Sequence, residues 1–307
     1  MIQKIQTKNH EEWKALRSKY IGGSDAAAVV GMNAYVSPYS LWAEKTGRVP
    51  GFEGNLATEV GTYLEEFVAQ KFAQETGKKV RRCNMSILND QYPWAIANID
   101  REIVGEDSGL EIKTTSELNM SKFKNGEYPS NYYCQCMHYL AMTGKKRWYL
   151  AVLIGNRDFK IFTIERDEEE IRALMQAEEN FWCYVQSNTP PPADGMDATS
   201  KTLTALYPDS SEKCIVIVDF DMDLRRRADL RQQISELDAQ VADIENRIKA
   251  VMGEAGKAES TSYRVTWNSQ VRNTFDHKRF ASDHPGLDLS KYYKASKSRV
   301  FRVSQKG

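Results

Sequence analysis

The hydrophobic and polar positions of the first 78 residues recur mainly at helical spacing. Each apolar stretch begins near a residue that caps helices well, and most end near a glycine, as short amphipathic helices do. Ser24 is the expected cap of the second helix, and Pro38 stands at the first position of the third. We therefore expect helices over residues 9–19, 26–30, 37–47 and 57–76.

From residue 79 the period shortens towards two, which is typical of β-strands. Segments 105–109 and 155–158 contain glycine and separate pairs of strands, as hairpin turns do. The expected strands cover residues 79–85, 94–104, 110–114, 147–154 and 159–165. Helical spacing returns over residues 131–143 and 168–185. This order of elements predicts an α+β domain in which helices flank a central mixed sheet.

A change of composition near residue 190 predicts a domain boundary. Residues 187–195 combine consecutive prolines with small polar residues, which is typical of a linker. We expect a first domain over residues 1–190, a linker over 191–203, and a C-terminal region over 204–307.

A long helix is predicted in the C-terminal region, over residues 223–252. Its apolar residues follow a heptad spacing. They are Leu230, Ile234, Leu237, Val241, Ile244, Ile248 and Val251. This seam fits a helical hairpin within the chain or pairing between subunits. The tail is expected to form a small β-containing module with strands over 263–268 and 300–303 and a short helix near His277.

Composition narrows the class of protein only a little. The 307 residues include 42 Lys+Arg and 42 Asp+Glu, and 41% are hydrophobic, enough for a sizeable core. Residues 261–307 carry ten Lys/Arg against three Asp/Glu, so positive charge concentrates in the tail, where it suits nucleic acid or an ordinary solvated surface. Because no segment reads as a signal peptide or membrane span, and five cysteines follow no framework spacing, we expect a cytoplasmic protein with free thiols.

Three charged residues on neighbouring predicted strands form the most informative pattern. Glu111 and Lys113 are two apart, so both side chains lie on one face of the sheet. If Asp100 faces the same way, the site holds two carboxylates and one ammonium. Carboxylate oxygens suit Mg²⁺ or Mn²⁺, and such an ion polarises a phosphoryl oxygen and activates bound water. An ordinary salt bridge between strands would use the same residues, so both interpretations stay open.

Five segments in order resemble a known family. They are residues 17–25 (RSKYIGGSD), 37–47 (SPYSLWAEKTG), 61–66 (GTYLEE), 100–113 with its Asp and Glu-x-Lys, and 135–139 (QCMHY). The fourth segment, with its Asp followed by Glu-x-Lys, resembles the core motif of the PD-(D/E)xK nuclease superfamily. The whole set resembles the YqaJ-like viral recombinase family, relatives of the phage lambda exonuclease. The resemblance covers about residues 11–192 and implies a restriction-endonuclease-like core.

The resemblance implies a role for each matching residue. Asp100, Glu111 and the backbone carbonyl of Ile112 would ligate the metal, and Lys113 would position or deprotonate the attacking water. The remaining matches have roles around this centre: Glu65, with Glu66 as the next candidate, would add an acidic ligand directly or through water, Gln135 and Tyr139 would orient the lysine or the DNA, and Arg17 and Ser24 would bind a 5′-phosphate. Two positions depart from the family pattern, because Ile99 replaces a proline and Arg101 stands where relatives often have glycine.

The function that the resemblance implies is a Mg²⁺-dependent exonuclease, with Mn²⁺ as a substitute. It would digest linear double-stranded DNA from 5′ to 3′ and leave 3′ tails for a phage annealing protein. The family's ring-shaped oligomer implies a homo-trimer acting on DNA ends in the cytoplasm of a bacterial host, with no membrane. A structure- or site-specific endonuclease on the same core is an alternative, as is a catalytically silent DNA-binding or assembly factor.

Overall fold

The computed structural model describes residues 1–295 and 297–305, in two compact units that comprise Met1–Pro208 and Asp209–Gly307. The helices of the first unit are α1 His10–Arg17, α2 Gly23–Val29, α3 Pro38–Lys45, α4 Leu56–Thr76, α5 Ser130–Thr143, α6 Glu168–Gln186 and α7 Asp197–Leu206. Its strands are β1 Ile2–Ile5, β2 Ile21–Gly22, β3 Val80–Arg82, β4 Ser86–Asn89, β5 Ala95–Ile96, β6 Arg101–Ile103, β7 Ser108–Thr115, β8 Arg147–Ile154 and β9 Asp158–Glu165. A 3₁₀ helix covers Glu117–Phe123.

Five strands form the central sheet in the order β3-β6-β7-β8-β9. The β7–β8 pair is parallel, and the other three pairs are antiparallel. Parallel neighbours need a crossover connection, and α5 lies within it. The predicted α+β class with a mixed sheet is therefore confirmed.

Helices cover the sheet on both sides. Successive side chains of β7 alternate between the two faces and therefore pack against different helices. Leu110 and Ile112 pack with Phe72 of α4 in one core cluster. The opposite face packs against α5, with Leu140 and Trp148 in a larger cluster. Because successive side chains alternate between faces, Glu111 and Lys113 point to the α5 side.

The structure breaks the strand expected over residues 94–104 into two pieces. Ala95 and Ile96 form β5, which pairs in parallel with β2, and β6 begins only at Arg101. Ala95, Ile96 and Ala97 are all fully buried. The apolar run therefore marks a segment covered on every side and not one long amphipathic strand. Asp100 consequently lies immediately before β6 and not within a strand.

The start of α2 also differs from the expectation. Gly22 is the N-cap, and the Asp25 carboxylate accepts a hydrogen bond from its backbone N–H at 3.0 Å. Ser24 therefore lies in the first turn and is not the N-cap. The shift arises because Gly22 is already paired with Ile96 in the β2–β5 pair, so the chain turns into the helix directly from the strand.

The segment expected to be a linker over residues 191–203 is largely ordered against the first unit. Pro191 is buried, and α7 packs on α3. Thr199 is 1% exposed and its hydroxyl donates to the Ser37 hydroxyl at 2.7 Å. The chain divides after Pro208, so the boundary between the two units lies beyond the proline-rich segment.

The second unit contains α8 Asp221–Met252, α9 His277–Asp283 and an antiparallel pair of strands, β10 Lys257–Glu259 and β11 Arg264–Thr266. Single 3₁₀ turns cover Val218–Phe220 and Ser290–Tyr292. The expected long helix, the helix near His277 and the strand near 263–268 are confirmed. Residues 300–303 form no strand in the described part of the chain, so that expectation is wrong.

Two further expectations concern the whole chain. All five cysteines are free thiols, and Cys134 and Cys136 lie buried in α5. In residues 1–295 and 297–305, no helix has the length and apolar character that crossing a membrane requires.

Candidate active site

One open cleft of about 440 Å³ in the first unit collects the residues that the sequence singled out. Its walls come from α1, α2, α4, β7 and α5 and from the segment before β6. Ile112 was predicted to act through its backbone carbonyl and the other residues through their side chains. All of them line this cleft: Arg17, Ser24, Glu65, Asp100, Glu111, Ile112, Lys113, Gln135 and Tyr139. Elements that are distant in sequence thus bring the whole predicted set together.

Asp100 is tied to β7 at the floor of the cleft. Its Oδ2 accepts a hydrogen bond of 2.8 Å from the backbone N–H of Ile112. The N–H and C=O of one strand residue point to the same side, so the Ile112 carbonyl also faces Asp100. This single bond sets two oxygen donors, from Asp100 and Ile112, beside each other.

Glu111 is the most buried acid of the site, at 2% exposure. Its Oε1 accepts from the Lys113 ammonium at 2.7 Å and from the Gln135 amide at 2.7 Å. Its Oε2 is buried and has no hydrogen-bond partner among the described residues. A buried carboxylate oxygen without a donor is costly, so this atom points to a cationic ligand.

Burial and charge set the ionisation of this cluster. Burial, reinforced by the neighbouring Glu111 charge, raises the pKa of Asp100 well above its usual value. Burial alone would lower the pKa of Lys113, but the Glu111 and Asp100 carboxylates outweigh it and raise that pKa far above normal. The Glu111 charge therefore opposes ionisation of Asp100, and the Lys113 ammonium stays protonated.

Gln135 and Tyr139 lie one helical turn apart on α5 and form a chain of hydrogen bonds. The Gln135 amide donates to Glu111 at 2.7 Å and to the Tyr139 hydroxyl at 2.9 Å. The Tyr139 ring packs on Gly23, where an added Cβ would lie 2.6 Å from a ring carbon. Gln135 thus contacts the acid that Lys113 also contacts, and it reaches the lysine only through that shared carboxylate.

Glu65 reaches the cleft from α4, but its carboxylate is engaged by arginines. Its Oε1 is hydrogen-bonded to the buried Arg101 guanidinium and lies 3.7 Å from Arg82. Glu66 binds the same guanidinium at 3.0 Å from the exposed side. Arg101, a departure from the family pattern, therefore fills the space beside the acidic residues with a fixed positive charge.

Arg17 and Ser24 form one end of the cleft and are hydrogen-bonded to each other. Asp25 lies behind them, 3.8 Å from Arg17 and 2.7 Å from the buried ammonium of Lys45. Burial raises the pKa of Asp25, but Lys45 and Arg17 more than compensate, so the pKa is lowered. Asp25 therefore holds both Arg17 and Lys45 at this end of the cleft.

Sequence reasoning missed several contributors to the cleft. Trp13 lies within the helix expected over residues 9–19 and was given no role, yet its ring lies 5.4 Å from the Arg17 guanidinium and its N–H donates to Asn98 at 2.9 Å. Asp25 and Lys45 lie inside the matching segments but carried no assigned role. Their position within those segments could have indicated a role. The residues that neighbour Arg101 in the sequence gave no indication that it would form a buried ion pair.

The donor set fits a hard divalent cation. The unpartnered Glu111 Oε2, the Asp100 Oδ1 and the Ile112 carbonyl are oxygen donors around one corner of the cleft. Across residues 1–295 and 297–305, no group of three or more His, Cys, Asp and Glu side chains is arranged to hold a metal. The corner therefore combines two carboxylates with a backbone oxygen, while Glu65 is held by Arg101.

Comparisons with known proteins agree with the fold and the motifs. Residues 12–146 match the model of the YqaJ-like viral recombinase domain. The chain is 36% identical over 310 residues to the uncharacterized protein YqaJ of Bacillus subtilis strain 168, a match that spans 98% of this chain and 95% of that protein.

Solved structures support the expected core. The alkaline exonuclease LHK-Exo from Laribacter hongkongensis superposes with a TM-score of 0.50 at 21% identity, over 58% of this chain and 93% of that protein. Its complex with dAMP gives the same TM-score and coverage at 22% identity. These likenesses concern the fold alone, and they agree with the α+β core around a mixed sheet. The family follows from the sequence match: the chain belongs to the YqaJ-like viral recombinase family.

Proposed function

We propose that the protein is a metal-dependent deoxyribonuclease whose catalytic centre is Asp100, Glu111 and Lys113. The observation that carries the proposal is the buried, unpartnered Oε2 of Glu111, which lies in a cleft with a second acid and a protonated lysine. Asp100, Glu111 and the Ile112 carbonyl would hold the ion, for which we propose Mg²⁺ with Mn²⁺ as a substitute. When bound, the ion polarises the scissile phosphate and activates a water.

Lys113 acts on that water and on the phosphate by position and charge. Its ammonium is held 2.7 Å from Glu111 and stays protonated beside two acids, so it orients the water and stabilises charge on the phosphoryl oxygens. Gln135, braced by Tyr139, keeps Glu111 turned towards Lys113. The water oxygen forms a bond to phosphorus while the bond from phosphorus to the departing sugar oxygen breaks. The water gives up a proton to solvent and the departing oxygen takes one up, so the products are a phosphate end and a hydroxyl end.

The end of the cleft that carries Arg17 and Ser24 suits a DNA 5′-phosphate. Arg17 is about one-third exposed, so its guanidinium can contact a phosphate while Lys45 remains buried against Asp25. Ser24 lies in the first turn of α2, where backbone N–H groups and the helix dipole favour an anion. Because Arg17, Ser24 and Lys113 line the same cleft, a 5′-phosphate bound by Arg17 would agree with digestion from 5′ to 3′.

These contacts support an exonuclease on linear double-stranded DNA that leaves 3′ tails. Its action on DNA places it in the bacterial cytoplasm, and an annealing protein that loads on the tails is the partner we propose. An endonuclease on the same core is the second candidate, because the cleft is open and nothing described in it blocks a continuous strand.

Self-association through α8 is part of the proposal. Its seam residues are between 38% and 89% exposed. In the heptad repeat, position a is occupied by Ile234, Val241 and Ile248. Position d is occupied by Leu230, Leu237, Ile244 and Val251. In coiled coils, β-branched residues at position a favour a dimer when position d is leucine, and isoleucine at both positions favours a trimer or tetramer. A second or third copy of this chain supplies the matching seam, which agrees with a homo-oligomer such as a trimer.

Digestion of linear and closed circular plasmid with Mg²⁺ tests the activity. We expect the linear DNA to disappear while the circle remains intact. Nicking of the circle would instead establish the endonuclease. DNA binding without loss of either substrate would contradict the nuclease and favour a silent binding factor.

A further inference from the structure

Arg101 is a cation buried inside the fold, at 2% exposure, directly after Asp100 on β6. Its guanidinium donates to the backbone carbonyl of Asp100 at 2.8 Å and to the carboxylate of Glu65. A second nitrogen donates to Glu66 at 3.0 Å. The contacts with Glu65 and Glu66 join the segment that carries Asp100 to helix α4.

Burial of a guanidinium is unfavourable unless its donors are satisfied, and here the partners flank the proposed metal corner. The planar arginine fork can hold two carboxylates and a carbonyl at once, whereas a lysine ammonium is a single flexible point charge. If Arg101 served only to hold α4 on the sheet, it would not need to bind Glu65, an acid that lines the cleft.

The orientation of Glu65 follows from which of its oxygens the arginines use. Both Arg101 and Arg82 contact Oε1. Glu65 lines the cleft together with Asp100 and Glu111. The contacts therefore leave Oε2 as the oxygen that can serve the cleft.

We propose that Arg101 is a positioning residue for the metal corner: it fixes the Asp100 backbone and holds Glu65 so that Oε2 serves as an outer acidic donor. This inference rests on the proposed function and deepens it, because it assigns the control of Glu65 to a residue outside the catalytic set. Residues that orient metal ligands typically change metal affinity by about 10–100-fold when they are replaced.

Mn²⁺ binding to the full chain without DNA, followed by electron paramagnetic resonance at fixed pH, tests the inference independently of cleavage. We expect Arg101→Met to weaken Mn²⁺ binding by about 10–100-fold and Arg101→Lys to recover only part of that loss. Glu65→Gln should weaken binding too. Because Arg101 acts through Glu65, the Arg101→Met and Glu65→Gln pair should bind no more weakly than the weaker single variant.

Two matched controls keep the same chemical changes away from the cleft. Arg81→Met removes an arginine that pairs with Glu102 on the neighbouring strand, and Glu75→Gln removes an exposed acid from α4. Both should bind Mn²⁺ like the parent. Thermal unfolding establishes that each variant is folded; if Arg101→Met is not, Arg101→Lys alone and in the Glu65→Gln background provides the same comparison.

Each other outcome overturns the inference in a distinct way. Parental affinity in Arg101→Met would show that the residue has no role at the metal, and tighter binding would show that its charge opposes the ion. Fully additive losses in the double variant would show that Arg101 acts independently of Glu65. A parent that binds no Mn²⁺ would overturn the proposed function as well, whereas binding that Glu111→Ala removes and Arg101→Met retains would overturn this inference alone.

Discussion

The two units of the chain place their reactive features in opposite ways. In Met1–Pro208 the acids, the lysine and the arginines converge in one cleft, and most of them have partners within the unit. In Asp209–Gly307 the apolar seam of α8 and the aromatic side chains of the tail are largely exposed. The first unit therefore gathers its charged side chains in one cleft, whereas the second unit exposes apolar side chains.

This contrast assigns chemistry to the first unit and affinity or assembly to the second. Variants in the cleft should change the rate of cleavage by large factors. Variants and truncations in the second unit should change DNA binding or oligomer size while the chemistry survives.

Lys113→Ala should reduce the rate of cleavage by about 10²–10⁴-fold, a larger effect than that of Arg17→Ala. The ammonium orients water and stabilises charge mainly in the transition state, so Mn²⁺ binding should persist. Single-turnover cleavage measures the effect, with Lys160→Ala on β9, an exposed lysine paired with Asp158, as the control. A parallel loss of DNA affinity and rate would make Lys113 a simple phosphate contact.

Arg17→Ala should reduce the preference for 5′-phosphorylated ends by about 10–100-fold, the size of one charge-assisted contact. Slow background cleavage should remain, because the metal corner is untouched. Digestion of matched duplexes with phosphate or hydroxyl 5′ ends measures the preference, and Lys14→Ala on the same helix is the control. A parent that cleaves both ends equally would remove this role from Arg17.

Truncation after Pro208 should leave a folded nuclease with about tenfold weaker DNA affinity and a shallower salt dependence. The basic tail would otherwise release counterions from the DNA, at about 0.9 units of slope per phosphate contact. The cut belongs after Pro208 because α7 packs on α3, so an earlier end would remove part of the first unit.

Light scattering on the same truncated protein separates affinity from assembly. An unchanged salt slope with a smaller oligomer would assign the second unit to self-association through α8. If slope and size both stay the same, neither role is correct, and a pull-down with the annealing protein becomes the relevant experiment.

The smallest expected effect is a pH dependence of stability from a buried pair in the first unit. His138 Nδ1 lies 2.8 Å from Glu178, and Nε2 lies 3.0 Å from the Ile96 carbonyl. Burial alone would lower the pKa of His138, but the charge and hydrogen bond of Glu178 and the carbonyl raise it overall.

Because the folded pKa of His138 exceeds the unfolded value, its contribution to stability is complete below about pH 6.5 and is lost as the pH rises through the folded pKa. The contribution is about 1.4 kcal/mol for each unit of difference. Thermal unfolding from pH 6 to 9 should reveal this decline in the parent and not in His138→Gln, with the exposed His284→Gln as the control. An identical pH profile in parent and His138→Gln would contradict it.

Much of the catalytic unit could be predicted because its signals are local. Helix caps such as Asn9 and Ser37, and C-terminal glycines such as Gly77 and Gly144, lie where the sequence placed the ends. Alternation along β7 correctly placed Glu111 and Lys113 on one face. The family motifs then selected the residues that line the cleft.

Other features depend on contacts that no local pattern records. The strand expected through Asp100 is broken because Ala95–Ile96 pairs with β2, which is distant in sequence. Helix α7 appears where proline-rich composition predicted a linker, because Thr199 bonds to Ser37 across the fold. The Arg101–Glu65 pair likewise joins a strand to a helix more than thirty residues away.

Cleavage of linear double-stranded DNA by Glu111→Ala, with Mg²⁺, tests the central claim most directly. Its Oε2 is the unpartnered acceptor of the site, and a bound ion contributes several kcal/mol to the transition state, so we predict a loss of at least about 10³-fold. Glu165→Ala, an exposed acid on β9, should cleave like the parent, and thermal unfolding should show both variants folded. A folded Glu111→Ala protein that digests DNA near the parental rate would contradict the assignment of the active site.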